Sequence, residues 1–324
     1  MGNRFGKVFI TGGAGFIGTH IAERLLHAAE VVLFDNFRRD SLSLAPALQS
    51  APNVRLLTGD VLDSDSIRAA ITGSQVVLHL AAVAGVSSYY AEPLKTLHVN
   101  ILGTVNVLQE AVRAGVEMMV DFSTSEVFGP DALWVDEEAP HGIGPVSDLR
   151  WTYAVSKIAG EHLTLRTTRR HSIKGVVLRP FNVYGPRQTG EGAVSNFCRA
   201  VSNNEPMIVY GDGSPIRAWC YVSDMVDAVM AVLERQPDGE VFNIGNPAEV
   251  ATTLGLARSI QRLVPAAQIQ FKDVARSEVR SRVPVIDKAR RLLGFAPKVD
   301  LDSGLSETLN WTRANLASMG VGAQ

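Results

Sequence analysis

Tyr153 and Lys157 stand four residues apart in the run Tyr153-Ala154-Val155-Ser156-Lys157. On a helix that spacing puts a phenol and an ammonium on one face. A cation beside a phenol favours the phenolate and lowers a pKa that is ordinarily about 10. A phenol so tuned can take a proton from a sugar hydroxyl and later return it. A second run, Phe122-Ser123-Thr124-Ser125-Glu126, gathers hydroxyls beside a carboxylate, where they can bind an oxygen undergoing oxidation and support proton transfer. Ser123 reads by itself as a turn cap. A third run is Gly12-Gly13-Ala14-Gly15-Phe16-Ile17-Gly18. Gly12 permits a tight turn, Gly15 lets the backbone approach a pyrophosphate, and Gly18 lets the next helix pack close to the sheet. The N-terminus of that helix then offers N–H groups and a partial positive charge to phosphates. Either motif alone arises by chance, and each strengthens the other.

The elements that must carry these residues follow from the pattern. Short β-branched runs at Lys7–Thr11, Val31–Phe34, Val54–Thr58, Val76–Leu80, Met118–Ser123 and Gly175–Arg179 alternate with helical stretches at Phe16–His27, Ser64–Ile71, Leu94–Ala114 and Thr152–Arg170. That alternation predicts an α/β fold with a doubly wound parallel sheet, whose strands are apolar throughout because helices cover both faces. Ligands then bind outside the carboxyl ends of the strands. Asp35 ends the second strand, where a carboxylate can accept both ribose hydroxyls and repel a 2′-phosphate. This favours NAD over NADP, although Arg38 and Arg39 soften the repulsion. Asn36, Asp60, Val61, Leu80, Ala81 and Ala82 fall at the same crevice, and Asp60 alone reads more often as a helix cap. Beyond Arg179-Pro180 the texture turns to loops rich in Gly, Pro and Asn. The expected division is a dinucleotide domain at 1–179, rejoined by 222–245, a smaller C-terminal α/β lobe at 180–221 and 246–316, and a frayed tail at 317–324.

Composition narrows the class. The 324 residues are 46% hydrophobic and 20% charged, with a net charge of -2, in the range of ordinary globular proteins. Neither nucleic acid nor an anionic membrane is suggested, since both call for clustered Lys and Arg. Cys198 and Cys220 form no metal spacing and no disulfide framework, and the seven histidines are scattered, so no metal site is expected. The start runs straight into the Gly-rich turn without a secretory pattern, and the expected location is the cytoplasm.

Taken in order, TGGAGFIG, the Asp35 strand end, STSEVFG, YAVSK, RPFNVYGPR and RAWCYVSD resemble the extended short-chain dehydrogenase/reductases, the NAD-dependent epimerase/dehydratases of nucleotide-sugars. The resemblance runs from about residue 7 to 311. It implies a Rossmann domain with a C-terminal nucleotide-sugar lobe, tightly held NAD, and a homodimer paired through helices matching Leu94–Ala114 and Thr152–Arg170. It makes Tyr153 the base, Lys157 its tuner and ribose anchor, and Thr124 the hydroxyl on the reacting oxygen. GEGAVSNFCRAV, EPMIVYGDGSPIRAWCYVSDMV and VFNIGNP are most similar to the UDP-glucuronate decarboxylases. There Asn182 and Arg217 would contact the diphosphate and sugar, Val194, Ser195 and Tyr210 would surround the uracil, and Arg282 would contact the nucleotide.

Thr124-Ser125-Glu126 also resembles the decarboxylases, in which the Glu helps manoeuvre the substrate carboxylate. Other features depart from them: Ser87-Ser88-Tyr89-Tyr90 replaces a Pro-containing segment, Val285 stands in place of Asp, and YAVSK replaces YDEGK. Three outcomes of a shared 4-keto sugar therefore stay open. Loss of CO2 makes a decarboxylase, hydride return to the other face makes a 4-epimerase, and removal of the C5 proton by Glu126 with loss of water makes a 4,6-dehydratase. A catalytically silent NAD-binding regulator and an oxidoreductase with exchangeable cofactor are the readings from other classes.

Overall fold

The computed structural model describes residues 4–273 and 279–319. Seven parallel strands form its main sheet: β1 (Lys7–Thr11), β2 (Glu30–Asp35), β3 (Val54–Thr58), β4 (Val76–His79), β5 (Met118–Phe122), β6 (Lys174–Pro180) and β7 (Glu240–Ile244). Their spatial order is 3-2-1-4-5-6-7, so the chain reverses direction beside β1 and opens a crevice there. Every pairing between them is parallel. The Rossmann architecture expected from the alternating pattern is therefore present.

Strand periodicity divides the core in two. Val8, Ile10, Val31, Leu33, Val120 and Leu178 pack against the helices Phe16–Leu25 and Val222–Arg235. Phe9, Val32, Phe34, Val77 and Met119 point the other way, onto Ser64–Ile71 and Gly103–Ala114. At its carboxyl end this second face turns polar, with Thr11, His79, Asp121 and Ser123 all buried.

The expected helix Leu94–Ala114 is broken into three. Pro93–Leu97 leads into a π-helical turn, His98–Leu102, before Gly103–Ala114. Asn100 is the gain from that widened turn. Its side chain accepts from Val83 N at 2.7 Å and donates to Ser156 Oγ at 2.9 Å, tying the loop after β4 to the Thr152–Arg170 helix.

A four-stranded sheet lies outside the main one, in the order Val250–Thr252, Ile216–Ala218, Ser281–Pro284, Asp131–Val135. Asp131–Val135 comes from the chain stretch expected to belong wholly to the first domain, yet it pairs with Ser281–Pro284. A separate apolar cluster, including Phe197, Met207, Trp219, Leu256 and Leu305, supports this side of the molecule. The last helix, Leu301–Met319, runs past Leu316 into the stretch expected to fray, and residues 320–324 lie outside those described. No helix of the described residues is long and apolar enough to cross a membrane.

Candidate active site

A cleft of about 810 Å³ opens at the carboxyl ends of the strands, lined from the glycine turn to Glu191. At one end Gly12 adopts φ +70°, and a Cβ there would meet Ala81 N at 2.7 Å. A Cβ on Gly18 would meet Gly12 O at 2.5 Å, so the helix approaches the turn too closely for any side chain. Gly15 caps the helix in an extended conformation without a side-chain bond, leaving the first N–H groups open to the cleft. This cradle suits a dinucleotide pyrophosphate, and what keeps it open is the absence of side chains.

Asp35 is held by two backbone donors, Ala14 N at 3.0 Å and Phe37 N at 2.8 Å. Burial pushes its carboxyl above the ordinary range, and those N–H groups pull it back. Arg38 pairs with Glu92 at 2.5 Å, and Arg39 with Glu191 at 3.6 Å. Both arginines line the same cleft, each beside a carboxylate of its own. Asp60 accepts from Leu62 N and from Asn36 Nδ2, while Asp63 caps the following helix. Val61, Leu80, Ala81 and Ala82 line the same cleft.

At the other end, Thr124 follows β5 in an extended conformation and its hydroxyl accepts from Glu126 N. The same hydroxyl hydrogen-bonds to the Tyr153 phenol and favours its ionised form. Thr124, Ser125, Glu126 and Tyr153 all face the cleft. Lys157 lies beneath it, 2% exposed, with Nζ 3.9 Å from Asp121 Oδ1. The phenol is not acidified here: burial first, then the charge of Glu126, hold its pKa above the ordinary value. The acidification expected from the spacing is opposed here by burial and by the charge of Glu126. Ser123 is not the turn cap its position suggested; it donates to Glu161 Oε1 at 2.5 Å, and Glu161 is gripped by Arg179 at 2.8 and 2.7 Å.

Sequence reasoning missed Arg150. Its guanidinium is buried, and one nitrogen reaches both oxygens of Glu126 at 2.8 Å. Another nitrogen contacts the Tyr89 hydroxyl, and the Tyr89 ring stacks on Tyr153 at 5.9 Å and 6°. Arg282 lies 3.9 Å from Glu126, 1% exposed, with two of its guanidinium nitrogens unpartnered. Burial lowers its pKa to about 10 against the pull of Glu126. Arg217 is the register partner of Arg282 on the neighbouring strand, and its side chain donates to Ile216 O and Val279 O. Asn182 lines the cleft at φ +41°, a costly backbone for a residue with a Cβ, and donates to Ala218 O.

Three expected base contacts do not reach the cleft. Val194 turns into the apolar cluster with Phe197 and Cys198, the inward face of the Ala193–Ser202 helix. Ser195 donates to Gln188 O, and Tyr210 is 56% exposed at the end of its strand.

A doubly wound parallel sheet with a side-chain-free phosphate cradle defines a dinucleotide-binding enzyme of the Rossmann type. More narrowly, the chain belongs to the NAD dependent epimerase/dehydratase family, whose profile matches residues 8–245. NAD is its cofactor. It is 32% identical over 321 residues to the UDP-N-acetyl-alpha-D-glucosaminuronate decarboxylase of Bacillus cytotoxicus, covering 95% of this chain and 98% of that protein. It is 35% identical to UDP-glucuronic acid decarboxylase 2 of Arabidopsis thaliana, covering 92% of this chain and 66% of the plant protein. Among solved structures, the UDP-glucuronic acid 4-epimerase of Bacillus cereus, in complex with UDP-glucuronic acid and NAD, superposes with a TM-score of 0.88 at 28% identity, covering 95% and 99% of the two chains. A dTDP-glucose 4,6-dehydratase of Streptomyces venezuelae with NAD reaches 0.89 at 27%, covering 96% and 98%.

Proposed function

We propose that this protein is a UDP-hexuronate decarboxylase, acting on UDP-glucuronate through a 4-keto intermediate. The observation that carries the reading is the grip of Arg150 on Glu126 beside the buried Arg282. Two guanidiniums against one carboxylate leave a surplus positive charge next to Tyr153, suited to a sugar that brings a carboxylate of its own. A dehydratase would need Glu126 free to take the C5 proton, whereas both its oxygens here accept from Arg150. Decarboxylases of two UDP-hexuronates among the relatives support the same substrate class.

NAD, seated by Gly12, Gly15, Phe16, Ile17, Gly18, Asp35, Asn36, Asp60, Val61, Leu80, Ala81, Ala82, Tyr153 and Lys157, would accept a hydride from C4 and return it. Tyr153 takes the proton of the 4-hydroxyl while Thr124 hydrogen-bonds its oxygen. With a ketone at C4, the C5–C6 bond breaks, CO2 leaves, and the electron pair is drawn into the enolate, whose oxygen Thr124 and Tyr153 stabilise. Glu126, steered by Arg150, handles the departing carboxylate. C5 would then gain a proton from solvent, C4 would take back its hydride and O4 the proton held by Tyr153, and the pentose forms. Asn182, Arg217 and Arg282 are assigned to the diphosphate and sugar.

The 4-epimerase reading shares the first step, and the likeness to the Bacillus cereus enzyme favours it. Mass spectrometry after incubation with UDP-glucuronate separates the two. Loss of CO2 is the expected result; an isomer of unchanged mass refutes decarboxylation, and parallel incubation with UDP-N-acetylglucosaminuronate tests the other hexuronate. We place the protein in the cytoplasm. We also infer a homodimer, supported by Leu94, Leu102 and Val155, exposed apolar residues along the stretches assigned to the pairing helices. The division into a dinucleotide domain (1–179 with 222–245) and a substrate lobe (180–221 and 246–316) is retained, with Asp131–Val135 contributed to the lobe.

A further inference from the structure

Asp121 is an anomaly in an otherwise apolar strand. β5 reads Met118-Met119-Val120-Asp121-Phe122, every residue of it is buried, and Asp121 is 0% exposed. A carboxylate so placed is costly unless it is paired. Its Oδ2 accepts from Thr164 Oγ1 at 3.3 Å, and its Oδ1 has no hydrogen-bond partner. The charge facing that atom is the Lys157 ammonium at 3.9 Å, itself almost wholly buried.

Among the described residues, Lys157 is the cation that acts on Asp121. From the Thr152–Arg170 helix, Lys157, Glu161 and Thr164 face Asp121; Glu161 is gripped by Arg179, and its remaining negative charge pushes the Asp121 carboxyl up. From β4, the register partner is His79. Thr104 donates to Asn100 O and so accepts from His79 Nε2, which leaves Nδ1 to accept from Thr11. Burial and Lys157 hold that imidazole down to about 3, so it stays neutral and adds no charge.

We propose that Asp121 is a positioning residue for Lys157, a buried counter-ion that holds the ammonium in place and shares its charge with the Tyr153 phenol. Burial pushes the Asp121 carboxyl up and Lys157 draws it down, while the carboxylate charge in turn raises the phenol. An ammonium four residues along a helix from a phenol shares its face, and acidifies it less when a carboxylate also draws on its charge. Asp121 thereby keeps Lys157 fixed and Tyr153 more basic. The second effect rests on Tyr153 being the base proposed above, and the first does not.

The test has two arms. Melting temperatures are measured for the wild type, Asp121→Asn, Lys157→Met and the double variant. Each single change is expected to lower the melting temperature, and the double variant to lose less than the two losses together, because neither charge is then left alone. A single variant that unfolds while the double variant folds is the same result in stronger form. Additive losses, or a double variant that unfolds, overturn the pairing. In the second arm, the pH dependence of kcat on UDP-glucuronate is compared between wild type and Asp121→Asn. The acid limb is expected to move down by about one pH unit, as the phenol escapes the carboxylate. An unmoved limb, or one that moves up, overturns the charge-sharing role, and a purely structural residue would leave it in place. The melting arm needs no substrate, so a failure to release CO2 sinks the decarboxylase reading alone.

Discussion

Replacing Arg150 with Lys keeps one positive charge and removes the fork. In the wild type, one guanidinium nitrogen holds both oxygens of Glu126 at 2.8 Å while another reaches Tyr89, whose ring lies parallel to Tyr153. A lysine ammonium is a point charge and cannot hold that geometry. It would keep a contact to Glu126 and lose the rest, roughly two charge-assisted bonds at about 1.5–3 kcal/mol each. The Arg150 side chain is 7% exposed and that of Glu126 23%, so solvent screens the loss little. A cost of about 3–6 kcal/mol corresponds to a fall of about 10²–10⁴ in turnover. The assay is release of CO2 from UDP-glucuronate, with kcat and KM determined separately and bound NAD measured on the same samples. The loss should fall mainly in kcat, with NAD retained. A fall below tenfold, with NAD content unchanged, would refute the claim that Arg150 sets the working position of Glu126.

Tyr153→Phe should abolish turnover while NAD remains bound, measured by cofactor content and product formation; substantial residual activity removes Tyr153 as the base. Gly18→Ala places a Cβ 2.5 Å from Gly12 O, against backbone that cannot give way, so the purified protein should lose most of its NAD and melt several degrees lower. Acid stability follows from two buried histidines, His20 lowered to about 4 and His79 to about 3. A group depressed on folding contributes stability above its unfolded pKa of about 6.5, lost as pH falls toward the folded value. For His79, 1% exposed, the loss amounts to about 5 kcal/mol by pH 3. His79→Gln should therefore flatten the denaturant-measured stability profile between pH 6.5 and 3, and an unchanged slope would count against a neutral buried imidazole.

Most strands of the main sheet were legible as short, largely apolar runs bounded by turn residues, and β1 and β3 agree with expectation to the residue. The outer sheet was not legible. Its strands are three to five residues long and their partners lie far along the chain, so no local periodicity announces them. Arg150 went unnoticed for a related reason: an arginine beside a turn reads as surface, and only tertiary packing buries it. Asp121 did carry a signal, an acid inside an apolar strand, which was passed over as part of a strand end. The π-turn at His98–Leu102 had a fainter one, Asn100 on the buried side of a helical stretch. Val194 was placed at the nucleotide base by resemblance, whereas its spacing to Phe197, Cys198 and Val201 marks the inward face of a helix.

The pairing of Asp131–Val135 with Ser281–Pro284 has a consequence for synthesis. As the chain leaves the ribosome, β1 to β6 can assemble early, and Glu126 and Arg150 are already inside the growing body. Arg282 arrives well after β6, bringing the strand that joins Ile216–Ala218 to Asp131–Val135 in the outer sheet. A nascent chain stalled before that point would own its nucleotide crevice and lack the third charge beside its sugar. Competence to turn over substrate would then appear only once that strand has emerged, after the cofactor could first be bound.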